Sequence, residues 1–272
     1  MKLVGVLLEE GVFVGALEGK SIRLIAPRSQ FWSNLPSLGT NKGLRDVGLS
    51  EASLVSALPD SAKVICIGLN YKEHAREANF PIPETPVVFA RWASTLIGDG
   101  TPAPAMEPAF DWEVELGVVI GREGLAIDAG RSNEHIFGYC TANDLSCRTL
   151  QTETAQWALG KNSDASCPIG AVVSRDESGD PDVGWAATTH VNGELLQNGD
   201  TSDLIFSVPE IIAFVSRATT LKPGDLIITG TPSGVGVAMK PPRFLKAGDT
   251  VSLGIEGLGD QAQRIVAWKK AS

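Results

Sequence analysis

Hydrophobic residues in the first 27 positions form three short runs that are separated by polar turns. The runs KLVGVLL, VFVGAL and SIRLIAP are broken at residues 9–11 and 18–20. Short apolar runs bounded by glycine and charged residues are typical of strands joined by tight turns, so we predict three strands over residues 2–27. We predict a helix from Ser50 to Leu58, ended by Pro59. Residues 1–60 are expected to form a small N-terminal β-rich domain.

From Lys63 onward the pattern changes to longer apolar runs that are separated by polar loops. The runs VICIGL and VVFAR predict strands, YKEHAREA predicts a short helix, and three prolines within residues 79–86 predict a loop. The segment Ser207-Val208-Pro209-Glu210 has the pattern of a helix capping box, and Asn192-Gly193 predicts a tight hairpin. Residues 61–272 are therefore expected to form a second domain, and the fold class is α+β, predominantly β.

Composition and charge exclude several classes of function. Hydrophobic residues make up 43% of the 272 positions, and 23 Lys+Arg against 32 Asp+Glu give a net charge of −9. This charge disfavours nucleic acids and anionic membranes as partners. The N-terminal apolar run is too short for a signal peptide, and no run approaches the ~20 residues of a membrane span, so we expect a cytoplasmic protein. The four cysteines form no C-x-x-C pair and are expected to be reduced and mostly buried.

Residues 111–118, DWEVELGV, alternate strictly between acidic and apolar side chains. In a strand, this period of two places Asp111, Glu113 and Glu115 on one face. One interpretation is an ordinary strand with a solvated polar face. The alternative is a functional site that contains a positive partner, because like charges at i and i+2 repel and no basic residue is interleaved among them.

Asp144 lies where the strand-like run HIFGYCTA meets the helical stretch LSCRTLQTETAQWAL. Aspartate at such a junction commonly caps the helix N-terminus. Arg148 and Gln151 follow at i+4 and i+7, so the three side chains are also expected on one helix face. That second arrangement suits a site that holds both a metal ion and an anion.

His74 and Glu77 are spaced i and i+3 on a predicted helical turn, as a general-base pair requires, although most such pairs are surface ion pairs. With only three histidines in the chain, any metal must be bound mainly by oxygen. Lys161 lacks the surrounding pattern of a phosphate-binding loop, so nucleotide binding is not supported. The glycine-rich segment 229–236 is either an anion-binding nest of backbone N–H groups or a tight loop.

Seven linked segments occur in the order and spacing of the fumarylacetoacetate hydrolase family, which the chain resembles from about Lys63 to its C-terminus. These segments are GLNYKEHAREA, a P-x-x-P-x-x-F stretch from Pro83 to Phe89, DWEVELGVVIGR, TANDLSCRTLQ, GKNSD, VNGELLQNGDTSDLIFS and GDLIITGTPSGVG. The resemblance implies a mixed β-sheet roll with a small N-terminal β-rich domain. It also implies a small anionic keto-acid substrate, a role in aromatic or keto-acid catabolism, and a homodimer.

The resemblance assigns roles to nine residues. They are Glu113, Glu115 and Asp144 for the metal, His74, Glu77 and Lys161 for catalysis, and Arg148, Gln151 and Thr231 for substrate contact. Oxygen ligands suit Mg²⁺, with Mn²⁺ or Ca²⁺ as alternatives, whereas Zn²⁺ is disfavoured. Two positions depart from the family pattern: KNSD stands at residues 161–164 where relatives often read KSFD, and Arg91 stands where they often carry lysine. The pocket wall beside Lys161 is therefore expected to differ.

The resemblance implies a divalent-metal-dependent hydrolase that cleaves a C–C bond in a β-diketo acid of the acylpyruvate or fumarylpyruvate class. The alternatives are a decarboxylase of a 2-keto diacid such as oxaloacetate, which uses the same enolate chemistry, and a hydratase or isomerase of the same family. A binding protein without catalysis is disfavoured, because it would not need His74, Glu77 and Lys161. Residues 72–86 are expected to form a mobile lid that becomes ordered when substrate binds.

Overall fold

The computed structural model of the chain describes residues 1–35 and 43–269. The described strands are β1 (Lys2–Leu8), β2 (Gly11–Glu18), β3 (Ser21–Pro27), β4 (Asp46–Gly48), β5 (Ser53–Val55), β6 (Val64–Gly68), β7 (Val87–Arg91), β8 (Leu96–Ile97), β9 (Ala103–Ala105), β10 (Phe110–Asp111), β11 (Val114–Ile120), β12 (Ile136–Asn143), β13 (Ser146–Cys147), β14 (Cys167–Pro168), β15 (Val172–Ser174), β16 (Ala186–Val191), β17 (Glu194–Asp200), β18 (Leu226–Ile228), β19 (Thr250–Ile255) and β20 (Gly259–Ala267). The described α-helices are α1 (Arg28–Phe31), α2 (Lys72–Glu77), α3 (Arg148–Glu153), α4 (Ala158–Lys161), α5 (Arg175–Ser178) and α6 (Val208–Ser216). Short 3₁₀ segments lie at Leu49–Glu51, Ala93–Thr95, Ala129–His135, Pro181–Val183, Thr201–Asp203 and Gly236–Ala238.

An eleven-stranded sheet forms the centre of the molecule. Its order is β4-β3-β2-β1-β15-β12-β11-β18-β6-β7, and β5 pairs with β1 beside that path. Strands β18 and β6 are parallel, whereas β11 is antiparallel to both β12 and β18. A second sheet has the order β17-β16-β19-β20-β9, and two short pairs join β10 to β13 and β14 to β8. The predicted α+β, predominantly β fold with a mixed sheet is confirmed.

Strand β11 is buried on both faces. Leu116 and Val118 pack in one core together with Leu253 from the five-stranded sheet. Val119 points to the opposite core, where it packs with Cys66 and other residues. A strand covered on both sides reads as a nearly continuous apolar run, and any charge on it must be paired or hydrogen-bonded. Glu113, just before β11, and Glu115, within it, are therefore unusual as buried charged residues.

The three strands predicted over residues 2–27 are confirmed as β1, β2 and β3, but the helix predicted from Ser50 to Leu58 is wrong. Val55 pairs with Gly5 in β1, and the two residues before it also join that antiparallel ladder. Pairing with β1 satisfies the backbone of the segment, and Leu58 is buried in the core. Tertiary pairing therefore overrides the local helical preference here.

The division into domains at residues 1–60 and 61–272 stays a prediction. Strand β1 pairs with β2 and β5 on one side of that division and with β15 on the other, through Lys2 and Leu3. The first strands are thus hydrogen-bonded into the same large sheet as β11 and β12.

Several local predictions for residues 61–272 are confirmed. Strand β6, helix α2 and strand β7 occur where expected, and residues 79–86 contain no helix or strand. The backbone N–H of Ser207 donates to Glu210 at 2.8 Å in the capping box of α6. The turn between β16 and β17 has φ of +53° at Asn192 and +84° at Gly193, as a tight hairpin requires. The four cysteines are free and buried.

Two predicted continuous elements are interrupted. The alternating segment 111–118 is split between β10, which ends at Asp111, and β11, which begins at Val114. Between them, the Glu113 N–H donates to the Asn143 side chain at 3.1 Å. The whole segment is buried, so the solvated-face interpretation is wrong. The helical stretch that was predicted after Asp144 is divided into α3 and α4.

Within residues 1–35 and 43–269, the helices are too short or too polar to cross a membrane.

Candidate active site

Glu113, Glu115 and Asp144 come together at one end of the β11–β12 pair. The register places Val114 opposite Asn143, and the Asp144 N–H donates to the Glu113 carbonyl oxygen at 2.9 Å. Carboxylate oxygens of all three residues lie within 4.8 Å of one another, and all three side chains are buried. The structure thus brings together the three residues predicted as metal ligands.

Two basic side chains hold the two oxygens of Glu113. Lys161 Nζ lies 2.7 Å from Glu113 Oε2 and 2.5 Å from Asp144 Oδ2. Arg148 Nη2 lies 2.7 Å from Glu113 Oε1. Burial by itself would raise the pKa of the Glu113 carboxyl, but Lys161 and Arg148 hold that pKa well below its ordinary value. Burial likewise opposes the charge on Lys161, but Asp144 and Glu113 outweigh it and raise the lysine pKa, so both partners remain charged.

A glycine allows Lys161 to approach the carboxylates. Helix α4 packs on α3, and a Cβ at Gly160 would lie 2.4 Å from Gln151 Cα. Only glycine tolerates so close an approach of two backbones. Gly160 therefore lets Lys161, at the end of α4, lie beside Arg148, at the start of α3.

Glu115 has a different environment from Glu113. One of its carboxylate oxygens accepts the Gly230 N–H at 2.6 Å, and among the described residues no ion pair includes Glu115. Burial and the charges of Asp144 and Glu113 raise its pKa well above the ordinary value. A cation placed among the three carboxylates would relieve this repulsion.

Asp144 does not cap a helix, so that interpretation is wrong. It lies between β12 and β13, and α3 begins at Arg148 with Cys147 in the capping position. Because Asp144 precedes the helix, the expectation of one helix face shared with Arg148 and Gln151 is wrong as well. Only the later part of that expectation holds, since Arg148 Nη1 donates to Gln151 Oε1 at 2.9 Å.

Arg91 belongs to the site in a way that sequence reasoning missed. Its Nη1 donates to Asp144 Oδ1 at 2.5 Å, and its Nη2 donates to the Ser166 carbonyl and hydroxyl oxygens at 2.8 and 2.6 Å. The Arg91 and Asp144 side chains are fully buried. Arg91 is not one of the described residues that line the cavity containing the carboxylates. It therefore supports Asp144 from behind and does not form the pocket wall. The available signal was a basic residue at the end of an apolar strand.

Asp111 lies beside the cluster but has another task. Its Oδ2 accepts from Arg148 Nε at 2.8 Å and from the Val237 N–H at 3.0 Å, and its Oδ1 accepts the Gly236 N–H at 2.8 Å. Asp111 therefore fixes Arg148 and ties it to the glycine-rich loop. It is a second functional residue that the motif comparison did not assign.

The glycine-rich segment 229–236 holds acidic side chains of the site. Three N–H groups of this segment, and the N–H of Val237 directly after it, bind carboxylates of the protein itself. These are Gly230 to Glu115, Gly234 to Glu77, and Gly236 and Val237 to Asp111. The loop thus aligns the acidic residues of the site.

His74 and Glu77 contact each other on α2, as the spacing predicts. His74 Nδ1 lies 3.4 Å from Glu77 Oε2, and Glu77 also accepts the Gly234 N–H at 3.0 Å. The Glu77 carboxylate is thereby fixed against the glycine-rich loop. His74 lines the same cavity as the three carboxylates.

The cavity has a volume of about 600 Å³. The three residues predicted to contact substrate, Arg148, Gln151 and Thr231, all line it. Thr231 Oγ1 accepts a hydrogen bond from the buried Gln197 amide at 2.8 Å. Lys161 and His74 also line the cavity, so it brings together all the predicted site residues except Glu77. Glu77 does not line the cavity but contacts His74, which does.

The donor set fits a hard divalent cation. It consists of three carboxylates, and no His or Cys belongs to the cluster within the described part of the chain. When Asp111 is included, four carboxylates face three cations, which leaves one negative charge. The cations are Arg91, Arg148 and Lys161. A divalent ion would turn this balance positive and favour an anionic substrate.

Known proteins that resemble this chain have several related activities. Mitochondrial oxaloacetate tautomerase FAHD2A of Homo sapiens is 42% identical over 222 residues, covering 80% of this chain and 70% of that protein. The structure of 2-hydroxyhepta-2,4-diene-1,7-dioate isomerase from Mycobacterium marinum matches with a TM-score of 0.81 and 32% identity, over 99% of this chain and 100% of that chain. Fumarylpyruvate hydrolase from Pseudomonas aeruginosa, in complex with Mn²⁺ and pyruvate, matches with a TM-score of 0.70 and 33% identity, over 78% and 91%.

The family model for the fumarylacetoacetate (FAA) hydrolase C-terminal region matches residues 63–266. That match contains the carboxylate cluster, the basic residues around it and the His74–Glu77 pair. The chain therefore belongs to the fumarylacetoacetate hydrolase family.

Proposed function

We propose that this protein is a divalent-metal-dependent hydrolase that cleaves a C–C bond in a β-diketo acid of the acylpyruvate or fumarylpyruvate class. The observation that carries the proposal is the shared cavity, in which His74, paired with Glu77, faces the same space as the three-carboxylate cluster. Hydrolysis needs a base for water as well as a site for the keto acid, and this cavity offers both.

Glu113, Glu115 and Asp144 would hold the ion. Mg²⁺ and Mn²⁺ suit carboxylate oxygens, Ca²⁺ is an alternative, and Zn²⁺ is disfavoured without His or Cys ligands. When bound, the ion supplies a Lewis acid that stabilises the enolate of a 2-keto acid. The Mn²⁺ and pyruvate in the similar fumarylpyruvate hydrolase support this assignment.

The residues of the chain perform the proton transfers. His74 takes a proton from water, and the water oxygen adds to the carbonyl carbon of the acyl group. The bond from that carbon to the pyruvate methylene then breaks, and its electron pair remains on the pyruvate enolate. Protonated His74 returns the proton to the enolate carbon, which gives pyruvate and a carboxylic acid. Glu77 holds the imidazole in orientation.

The remaining polar residues would bind substrate. Lys161 and Arg148 place positive charge at the cluster, where the substrate carboxylate and the developing oxyanion need it. Gln151 and Thr231 line the cavity and would position the substrate through hydrogen bonds. Each of these side chains is already fixed by a protein contact, so little reorganisation is needed on binding.

Oxaloacetate tautomerisation is the second candidate function. A relative with that name, from Homo sapiens, is 42% identical to this chain over 222 residues. In this reaction His74 would move a proton at the carbon beside the keto group, and no water would attack. Decarboxylation of oxaloacetate uses the same enolate and is a further outcome of the same test.

A panel of substrates tests the proposal. Metal-free protein is incubated with Mg²⁺ or Mn²⁺ and with acetylpyruvate, fumarylpyruvate or oxaloacetate, and pyruvate release and enol loss are measured. We expect metal-dependent release of pyruvate and a carboxylic acid from a diketo acid. Rapid enol–keto interconversion of oxaloacetate without any diketo-acid cleavage would contradict the hydrolase proposal and support the tautomerase.

The assembly is proposed from the family resemblance, and the location from the pattern of apolar runs in the sequence. We propose a homodimer in the cytoplasm. Size-exclusion chromatography with light scattering tests the assembly directly.

A further inference from the structure

The cavity is larger than the reacting end of an acylpyruvate requires. Its volume of about 600 Å³ lies in the range of ~300 to 1,000 Å³ that holds drug-sized ligands. The carboxylate cluster with Lys161 and Arg148 forms one part of the lining. Apolar residues contribute much of the rest, among them Leu69, Phe80, Phe89, Trp157 and Val237.

An aromatic wall begins beside the cluster. Lys161 Nζ lies 5.3 Å from the centre of the Phe89 ring, and the Trp157 ring packs edge-on against Phe89 with 5.4 Å between ring centres. Trp157 is in turn seated on Gly68, where a Cβ would lie 2.6 Å from the indole ring. The wall is therefore a packed, preformed surface that leads away from the charged groups.

The cations in the lining are already paired with carboxylates of the protein. Among the described lining residues, the pairs are Arg148 with Asp111 and Glu113, Lys161 with Glu113 and Asp144, and His74 with Glu77. A second carboxylate at the far end of a substrate would lie against the aromatic wall without a basic partner. Removing a charge from water without such a partner is strongly unfavourable.

We propose that the acyl group of the substrate is uncharged and apolar, an alkyl or aryl chain of several carbons. This inference rests on the proposed function, because it places the keto-acid end at the carboxylate cluster and the acyl end along the Phe89–Trp157 wall. It separates this protein from a hydrolase of dicarboxylates such as fumarylpyruvate.

Matched substrates test the inference. kcat/KM is measured at saturating Mn²⁺ for acetyl-, butanoyl- and hexanoylpyruvate, and for the analogue of hexanoylpyruvate whose terminal methyl is replaced by a carboxylate. We expect kcat/KM to rise about fourfold per added methylene, since each buries more apolar surface. We expect the carboxylate-ended analogue to react at least ~10-fold more slowly than hexanoylpyruvate.

Two neighbouring residues provide a variant and its control. Phe80 and Ile82 are exposed apolar residues of the same loop, 57% and 52% accessible, and of the two only Phe80 lines the cavity. Phe80→Ala should lower kcat/KM for hexanoylpyruvate ~10-fold more than for acetylpyruvate, whereas Ile82→Ala should lower both by the same small factor. Val237→Lys, which adds a cation to the lining, should increase kcat/KM for the carboxylate-ended analogue.

The outcomes distinguish the inference from the function on which it rests. Cleavage of diketo acids with equal or greater kcat/KM for the carboxylate-ended analogue overturns the apolar acyl group and leaves the hydrolase in place. An equal effect of Phe80→Ala on acetyl- and hexanoylpyruvate also overturns it. Failure to cleave any acylpyruvate overturns both proposals.

Discussion

Glu115 is a buried carboxyl group whose charged form is disfavoured. Its pKa is raised by burial and by Asp144 and Glu113. A carboxyl with a raised pKa stabilises the folded protein below its ordinary pKa, and this stability is lost as pH rises from about 4.5 through the raised value. Metal-free wild type should therefore lose stability relative to Glu115→Gln as pH rises, which denaturant unfolding in the presence of a chelator measures.

The control for this prediction is Glu123→Gln, because Glu123 is exposed. The stability of the Glu123→Gln variant should equal that of the wild type at every pH. A constant difference between Glu115→Gln and wild type across the whole pH range would contradict the raised pKa. Added Mn²⁺ should increase the stability of the wild type most strongly at high pH, because Mn²⁺ binding requires the ionised carboxylate.

Arg91 is predicted to be essential for the orientation of Asp144. Arg91→Met leaves a buried carboxylate oxygen without its cation, which should lower the free energy of unfolding by about 3–5 kcal/mol and weaken Mn²⁺ binding ~10- to 100-fold. Arg91→Lys keeps the charge but cannot reach Asp144 and Ser166 with one planar group, so we expect an intermediate effect. Denaturant unfolding and calorimetric Mn²⁺ titration measure both quantities.

Arg122 offers a comparison on the surface. It pairs with Glu134 at 3.2 Å, and both side chains are largely exposed. Arg122→Met should cost no more than about 1 kcal/mol. If Arg91→Met costs no more than Arg122→Met and binds Mn²⁺ normally, the positioning role of Arg91 is wrong.

The sequence predicts the chemical groups of the site better than their contacts. The E-x-E strand, Asp144 and the His74–Glu77 pair follow from local spacing and from the resemblance. Arg91 lies 53 residues from Asp144, and Asp111 lies 37 residues from Arg148, so neither contact leaves a local pattern. These long-range ion pairs depend on which strands become neighbours.

At the scale of elements, the loop between α2 and β7 is predicted to move. Residues 79–86 contain no helix or strand. The preceding helix α2 is held by two hydrogen bonds, in which the Glu73 N–H donates to the Asp203 carboxylate and the Glu77 carboxylate accepts the Gly234 N–H. We predict that hydrogen exchange in residues 72–86, the expected lid, slows when oxalate and Mn²⁺ bind, because closure over the cavity would exclude water.

The β19–β20 hairpin serves as the internal control for this exchange measurement, because it lies in the other sheet and none of its residues lines the cavity. Its protection should not depend on oxalate. Equal and strong protection of residues 72–86 with and without oxalate would show that this segment is not a lid.

Elements with their own stop and start signals were predictable from sequence. The hairpin at Asn192-Gly193 and the capping box of α6 are examples, because their signals lie within a few residues. The helix from Ser50 to Leu58 failed because β1 offers a better pairing partner, which no local pattern records. The prediction of one continuous strand over residues 111–118 failed for the same reason, because the Asn143 side chain on another strand accepts a hydrogen bond from the Glu113 backbone.

For the whole molecule, the large sheet explains how a chain with a net charge of −9 could bind the anionic substrate that we propose. Strands β11 and β12 carry the carboxylates into the interior, where cations from α3, α4 and β7 surround them. The local balance is then set by these few groups and by the ion, and the rest of the surface is screened by solvent. The order of the strands, which creates this arrangement, is the property that sequence patterns did not supply.

The central claim is that His74 activates water for C–C hydrolysis. His74→Ala should lower kcat for acetylpyruvate by ~10²- to 10⁴-fold with Mn²⁺ affinity unchanged, and it should lower oxaloacetate decarboxylation much less, because that reaction needs no attacking water. Lys161→Met should lower both, and His190→Ala, on β16, should lower neither. The decisive measurement is therefore the ratio of the two activities in His74→Ala. We predict that the hydrolytic activity falls at least ~10-fold further than the decarboxylase activity, and an equal fall in both would contradict the claim.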